Sequence, residues 1–330
     1  MDDKMIIDFI NNVEPDMSYG SSDGMTRAMV ESAENMALIN DYIVESTYEV
    51  YTEAEDNKED KQGFFSKIKN KIHTYFVLFV NLVRKAIEKV KGFFMAIKRK
   101  LTMAIAKALK TLIPAFAKAA NLASAAKTKA NGEKGTFALD LTQVVACRID
   151  PKKINKLIHY VEICENAFKN IKDLSFLDET QIKSSDNTLT LIRNSFDSFI
   201  KQDNDETGSP IMEKFDFVIN VVSATMVQDV KDAFDDIKGY MNIAYDEVMK
   251  SYSSTLKNIQ SLENNIKKND KIANNELSKQ LSIVNKYIHF NNYIKYTILQ
   301  KTATACLKHA KSFISAMWYL IKHPKHVMTF

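Results

Sequence analysis

Three short stretches carry residue types and spacings that could do chemistry. Gly20-Ser21-Ser22-Asp23-Gly24 has the spacing of a nucleophile elbow, in which a strained strand-to-helix turn presents a serine Oγ to a general base. That chemistry needs a strand before the turn. Here a short amphipathic pattern over residues 1–13, ended by Pro15, comes first, so the stretch reads as a loop in which Asp23 caps the following helix. Asp203-Asn204-Asp205-Glu206-Thr207-Gly208 begins like a calcium loop, but Thr207 stands at position five and Lys214 at position twelve, where a bidentate glutamate is required. An ammonium group would face the cation, so this stretch reads as a solvated loop. Cys306, His309, His323 and His326 are zinc-ligand types, and Cys306 and His309 lie one helical turn apart. One cysteine with three histidines, two of them in a basic tail, is not a common structural set, and no metal is expected. NGEKGT (131–136) lacks the spacing of a phosphate loop. The expectation is a chain with no catalytic residue, no metal and no cofactor, whose function lies in what it binds or builds.

The elements around these stretches point to helices. The 330 residues include only 8 glycines and 5 prolines, and so few breakers favour long helices over a turn-rich β fold. The 3 cysteines form no disulfide framework and suit a reducing compartment or the interior of a particle. MDDKMIIDFI carries acids where a secretory signal needs basic residues, and residues 74–83, the longest uncharged part of the most apolar segment, are too few to span a bilayer.

Charge divides the chain sharply. Residues 1–60 hold 3 basic and 16 acidic side chains, net −13; residues 61–134 hold 17 and 2, net +15. The first block could neutralise the second until something separates them. Four regions follow: an acidic helical region and linker (1–60), a basic amphipathic segment (61–134), short helices with a possible strand (135–209), and a long helical hairpin with a basic tail (210–330). Within the first, apolar positions predict a helix over 25–55, and EAEDNKEDKQG (53–63) is a charged linker.

The second block contains FFSKIKNKIHTYFVLFVNLVRKAIEKVKGFFMAIKRKL (64–101). Its apolar residues, from Phe65 and Ile68 through Phe76, Phe79 and Phe94 to Leu112, recur every 3.6 residues on average, the period of a straight amphipathic helix. Lys67, Lys71, Lys85, Lys89, Lys98, Arg99 and Lys100 fall off that stripe. Pro114 is expected to kink or end the helix. Three readings of the stripe stand at this point. It is a core helix with a solvated lysine face; or Phe65, Ile68, Phe76, Phe79 and Phe94 meet a membrane surface or a partner, with the lysines on anionic lipid; or the lysines contact nucleic-acid phosphates. Against the last, the aromatics are not interleaved with the cations as a stacking platform requires.

Beyond it, TFALDLTQVVACRI (136–149) is the one segment where a strand competes. Helices are predicted over 150–172, with Pro151 in its first turn, and over 187–202. Two long patterns, 211–268 and 274–322, predict an antiparallel hairpin, and Trp318 reads as a packing anchor. The fold class expected is all-α with at most a minor β element near 136–149.

ESAENMALINDYIVESTYEVYTEAEDNKEDKQGFFSKIKNKI (31–72) resembles the N-terminal part of minor virion structural proteins of large tailed bacteriophages, in which an acidic helix and acidic linker precede a helix rich in Lys, Phe and Ile. The resemblance is one of texture over about the first 110 residues. It implies a structural protein of the particle, minor or internal to the head, made in the host cytoplasm, with other virion proteins, packaged DNA or an anionic membrane as partners and self-association as a further contact. Ser32-Ala33-Glu34 is similar to the small-x-Glu sites trimmed by prohead proteases, which would make Glu34 a processing site. The alternative expectation is a helical membrane-permeabilising protein that inserts residues 64–113.

Overall fold

The computed structural model describes residues 61–131, 137–138, 147–172, 179–201, 209–214, 218–219, 226–268, 274–322 and 328–329. The expectations for the helices over 1–13 and 25–55, the 53–60 part of the linker, the serine loop at 20–24, the 203–208 loop and Glu34 lie outside these residues. The described chain is all-α. Its helices are α1 (Lys61–Asn131), α2 (Pro151–Lys172), α3 (Glu179–Ile200), α4 (Met226–Lys267) and α5 (Asn274–Lys322).

Helix α5 is the axis of the bundle. Apolar side chains cover all of its circumference but a narrow exposed strip that carries Lys279, Lys286, Lys308 and Lys311, so most of the helix must be enclosed. The other four helices all pack against it. The α4–α5 pair is the antiparallel hairpin expected from the sequence: Phe234 meets Phe313, Cys306 reaches Ile237 and Asn291 reaches Thr255, so one helix rises as the other descends. Helix α1 lies along both. It runs antiparallel to α4, with His73 beside Glu263 and Phe94 beside Tyr245, and is tied to α5 where the Tyr296 hydroxyl donates to the Ala86 carbonyl at 3.0 Å. Helices α2 and α3 form an antiparallel pair through Tyr160 against Phe196 and dock on α5 through Phe168–Tyr287 and Phe196–Tyr293. One continuous core runs from Ile72 to Ala108 in α1, through α2, α3 and α4, to Met317 in α5, so the described parts of regions 61–134, 135–209 and 210–330 share an interior. Trp318 is half-buried against it, as an anchor should be.

Five short strands accompany the helices: β1 (Phe137–Ala138), β2 (Cys147–Ile149), β3 (Met212–Lys214), β4 (Val218–Ile219) and β5 (Met328–Thr329). The expected β element at 136–149 is therefore two strands with different partners. β2 pairs antiparallel with β3, Ile149 opposite Met212, while β1 lies between β4 and β5. Arg148 Nε meets Glu213 Oε1 at 2.7 Å across the β2–β3 pair. The pair also fixes the start of α2. Asp150 N–H donates to Ile211 O, while Asp150 Oδ1 accepts from the N–H of Lys152 at 2.8 Å and of Lys153 at 3.4 Å, an N-cap directly before Pro151.

Three boundaries differ from the sequence reading. The first arm of the hairpin begins at Met226 rather than near 211. Phe215, Phe217, Ile219 and Val221 alternate with period two, and that stretch is rich in β-branched residues, which favours the strands found at 212–214 and 218–219. Helix α3 begins at Glu179, eight residues before 187. Its hydroxyl residues satisfy themselves within the helix: Thr188 donates to Ser184 O and Thr190 to Asp186 O. Pro114 does not end α1, which continues to Asn131. The proline is exposed, so the Lys110 carbonyl that loses its partner lies on the outer side of the helix, where the loss is cheapest.

Candidate functional site

The residues that the sequence singles out divide by face. Phe76 and Phe79 are 0% exposed and Phe94 is 5% exposed. Phe76 and Phe79 meet edge to face, and Phe94 stacks on Tyr245 of α4. The expectation that these three side chains meet a membrane or a partner is corrected in this conformation: the stripe fits the groove between α4 and α5, and burying it there removes the apolar surface that would have driven external binding. Phe65, Ile68, Lys67 and Lys71 belong to the backbone of α1, but their side chains lie outside the described set.

The opposite face of α1 is a ridge of cations. Lys85, Lys89, Lys98 and Arg99 are exposed and Lys100 is half-buried. Arg84, Lys91, Lys110 and Lys118, also exposed, extend the group. Lys98 Nζ stands 5.4 Å from the centre of the Phe94 ring, so its stem lies over the core aromatic while its charge stays outside. Helix α1 holds sixteen Lys and Arg but a single acidic residue, Glu88. At 1.5 Å per residue, Arg84 to Lys118 covers about 51 Å of helix. The ridge can hold a row of anions, and it presents no nucleophile or general base.

A second polar site is internal and was missed by the sequence reading. Lys295 of α5 is 0% exposed. Its Nζ donates to Thr255 Oγ1 of α4 at 3.1 Å and sits 4.1 Å from the centre of the Tyr252 ring. Asn291 Nδ2 donates to the same Thr255 oxygen at 3.0 Å, and Thr255 in turn donates to Ser251 O. Among the described residues, Ser251 Oγ, the Tyr252 hydroxyl and Asn291 Oδ1 are buried without a hydrogen-bond partner. Burial pushes the Lys295 ammonium down to about 7, against weaker opposing pulls from Glu165 and Cys164 on α2. Burial likewise pushes the Cys164 thiol up to about 12. One signal for this site was available. Lys279, Lys286, Lys308 and Lys311 share one narrow exposed strip of α5, and Lys295 falls on the opposite side of the helix, among its apolar residues.

The remaining sequence candidates have separate partners. Cys306 Sγ donates to Ile237 O, and His309 Nδ1 accepts from Ile149 N–H, so the two do not share a ligand position. Among the described residues no group of three His, Cys, Asp or Glu side chains is placed to hold a metal ion, and no helix is long and apolar enough to cross a membrane. No protein-family model, no curated protein and no solved structure matches the chain.

Proposed function

We propose that the chain is a non-enzymatic structural protein of a bacteriophage particle, and that the cation ridge of α1 lies against packaged DNA. The observation that supports this reading is the division of α1 into two faces. Its apolar stripe is taken up by α4 and α5, so the face left for an external partner is the basic one. Phosphate neutralisation needs exposed cations and no base-reading group, and the cations from Arg84 to Lys118, spread over the side of α1 turned away from the core, supply them. The acidic 1–60 block would compete with phosphate for this ridge, and trimming after Glu34 would weaken that competition. Self-association and contacts with other virion proteins belong to the same reading.

The experiment measures duplex DNA affinity at several salt concentrations for the full chain and for a variant with Arg84, Lys85, Lys91, Lys98 and Arg99 all changed to Gln, with anionic vesicles as a parallel ligand. Each phosphate contact contributes about −0.9 to the slope of log affinity against log salt. The expected result is a slope of several units in the native chain, reduced by about one per removed contact. DNA affinity that the five changes leave untouched, or binding to vesicles alone, overturns the DNA reading. Absence of the protein from purified particles of the phage that encodes it overturns the structural one.

A further inference from the structure

Helix α1 is longer than the two helices that hold it. It runs antiparallel to α4, with His73 level with Glu263 and Phe94 level with Tyr245, so the start of α4 at Met226 falls near residue 112 of α1. It runs parallel to α5, with Ala86 level with Tyr296, so the end of α5 at Lys322 falls at the same place. Burial stops there too: among the described side chains of α1, Ala108 is the last in the core and Ile113 packs against it from outside. Pro114 comes next, and yet the helix continues to Asn131. Residues 115–131 therefore extend about 25 Å past the ends of α4 and α5. Composition changes at the same point. In AFAKAANLASAAKTKAN eight residues are alanine, three are lysine and none is acidic. Alanine offers a core little to grip but is the best helix former, and the packed part of α1 has already met the cost of nucleation, so the helix propagates outward. Positions 118 and 129 fall on one side of this rod and position 127 on the opposite side.

We infer that residues 115–131 are an arm that lies in the major groove of duplex DNA, while the cations from Arg84 to Lys110 meet the phosphate backbone outside it. The inference rests on the DNA reading above and adds the element that enters the duplex. From Arg84 to Ala108 the bundle backs α1 and offers DNA one side of the helix only. Past Pro114 neither α4 nor α5 runs beside it, so a groove can close around it. The major groove is about 12 Å wide and a helix with its side chains about 10–12 Å across, with an alanine-rich helix at the slender end. Phosphates line both edges of the groove, which suits lysines on opposite sides of the rod.

The test is methylation of guanine N7, which faces the major groove, by dimethyl sulfate in a mixed-sequence duplex saturated with the full chain. The native chain should protect N7. A variant with Lys118→Gln, Lys127→Gln and Lys129→Gln should lose about three units of the salt slope. Ala123→Pro keeps every charge and breaks the rod, so it should lose the protection while the urea midpoint of the bundle stays where it was. A midpoint lowered by Ala123→Pro shows the arm packed into the bundle and overturns the inference. DNA binding by the native chain without N7 protection, or protection that Ala123→Pro leaves intact, overturns the groove arm alone and leaves the DNA reading standing. No DNA binding by the native chain overturns both. If the lysine changes dissolve an oligomer of the chain and leave the salt slope unaltered, the arm is a self-contact and the inference falls.

Discussion

The ring of Phe94 lies on that of Tyr245, their centroids 3.7 Å apart and their planes 13° from parallel. The contact joins the middle of the most basic helix to the first arm of the hairpin. It explains why a segment with the composition of a membrane-active peptide is held inside a protein: its aromatic stripe has a matching aromatic surface within the same chain. Phe94→Ala removes a buried ring and leaves a cavity between α1 and α4. The expected cost is about 3–4 kcal/mol of unfolding free energy, read from the shift of a urea midpoint. A shift below about 1 kcal/mol would mean that α1 is not packed as described.

Asp150 caps α2 and also ties it to the β2–β3 pair through Ile211. Asp150→Ala removes the side-chain acceptor for the N–H groups of Lys152 and Lys153 but leaves the backbone bond to Ile211 O. A loss of about 1 kcal/mol is expected, while Asp150→Asn, which keeps an acceptor oxygen, should lose much less. Paired urea titrations of the two variants check this.

The parts of the fold that were legible in the sequence are those set by local pattern. The 3.6-residue recurrence from Phe65 to Leu112 marks α1, Asp150-Pro151 marks the start of α2, and two long patterns mark the hairpin. The face assignment of α1 was not legible. The same stripe suits a core, a membrane or a partner, and only the groove between α4 and α5 decides among them in this conformation. The Lys295 cluster was hidden for a related reason. Thr255 and Asn291 lie 36 residues apart and meet only because the hairpin aligns them. The strands at 212–214 and 218–219 were hidden behind a helical pattern that begins a few residues later, and short apolar runs are where the two periods are hardest to separate.

Pro114 interrupts the hydrogen-bond ladder of a helix that nevertheless continues for seventeen residues. Its ring excludes the N–H that would reach Lys110 O. Pro114→Ala restores that bond without touching the core, because the side chain is exposed. The substitution should raise stability by about 1–3 kcal/mol and increase the helix content seen by circular dichroism. An unchanged or lowered stability would show that the proline sets a bend that packing requires.

His309 and His289 give the bundle an acid limit. His309 Nδ1 accepts the Ile149 N–H at 3.4 Å, so the ring is neutral there, and protonation would set two donors against each other. Burial pushes both histidines down to about 4, and Arg148 adds to the effect at His309. Their native values lie below the ordinary 6.5, so the unfolded chain takes up protons first as pH falls. The contribution of the two neutral histidines is therefore full above about pH 6.5, declines between 6.5 and 4, and loses up to about 3 kcal/mol per histidine by pH 4. Urea midpoints at pH 7, 5.5 and 4.5 should trace this decline. In His309→Gln, whose side-chain oxygen can still accept from Ile149 without titrating, the slope across this window should fall by about half. A native-like slope in that variant would assign the acid loss to other groups.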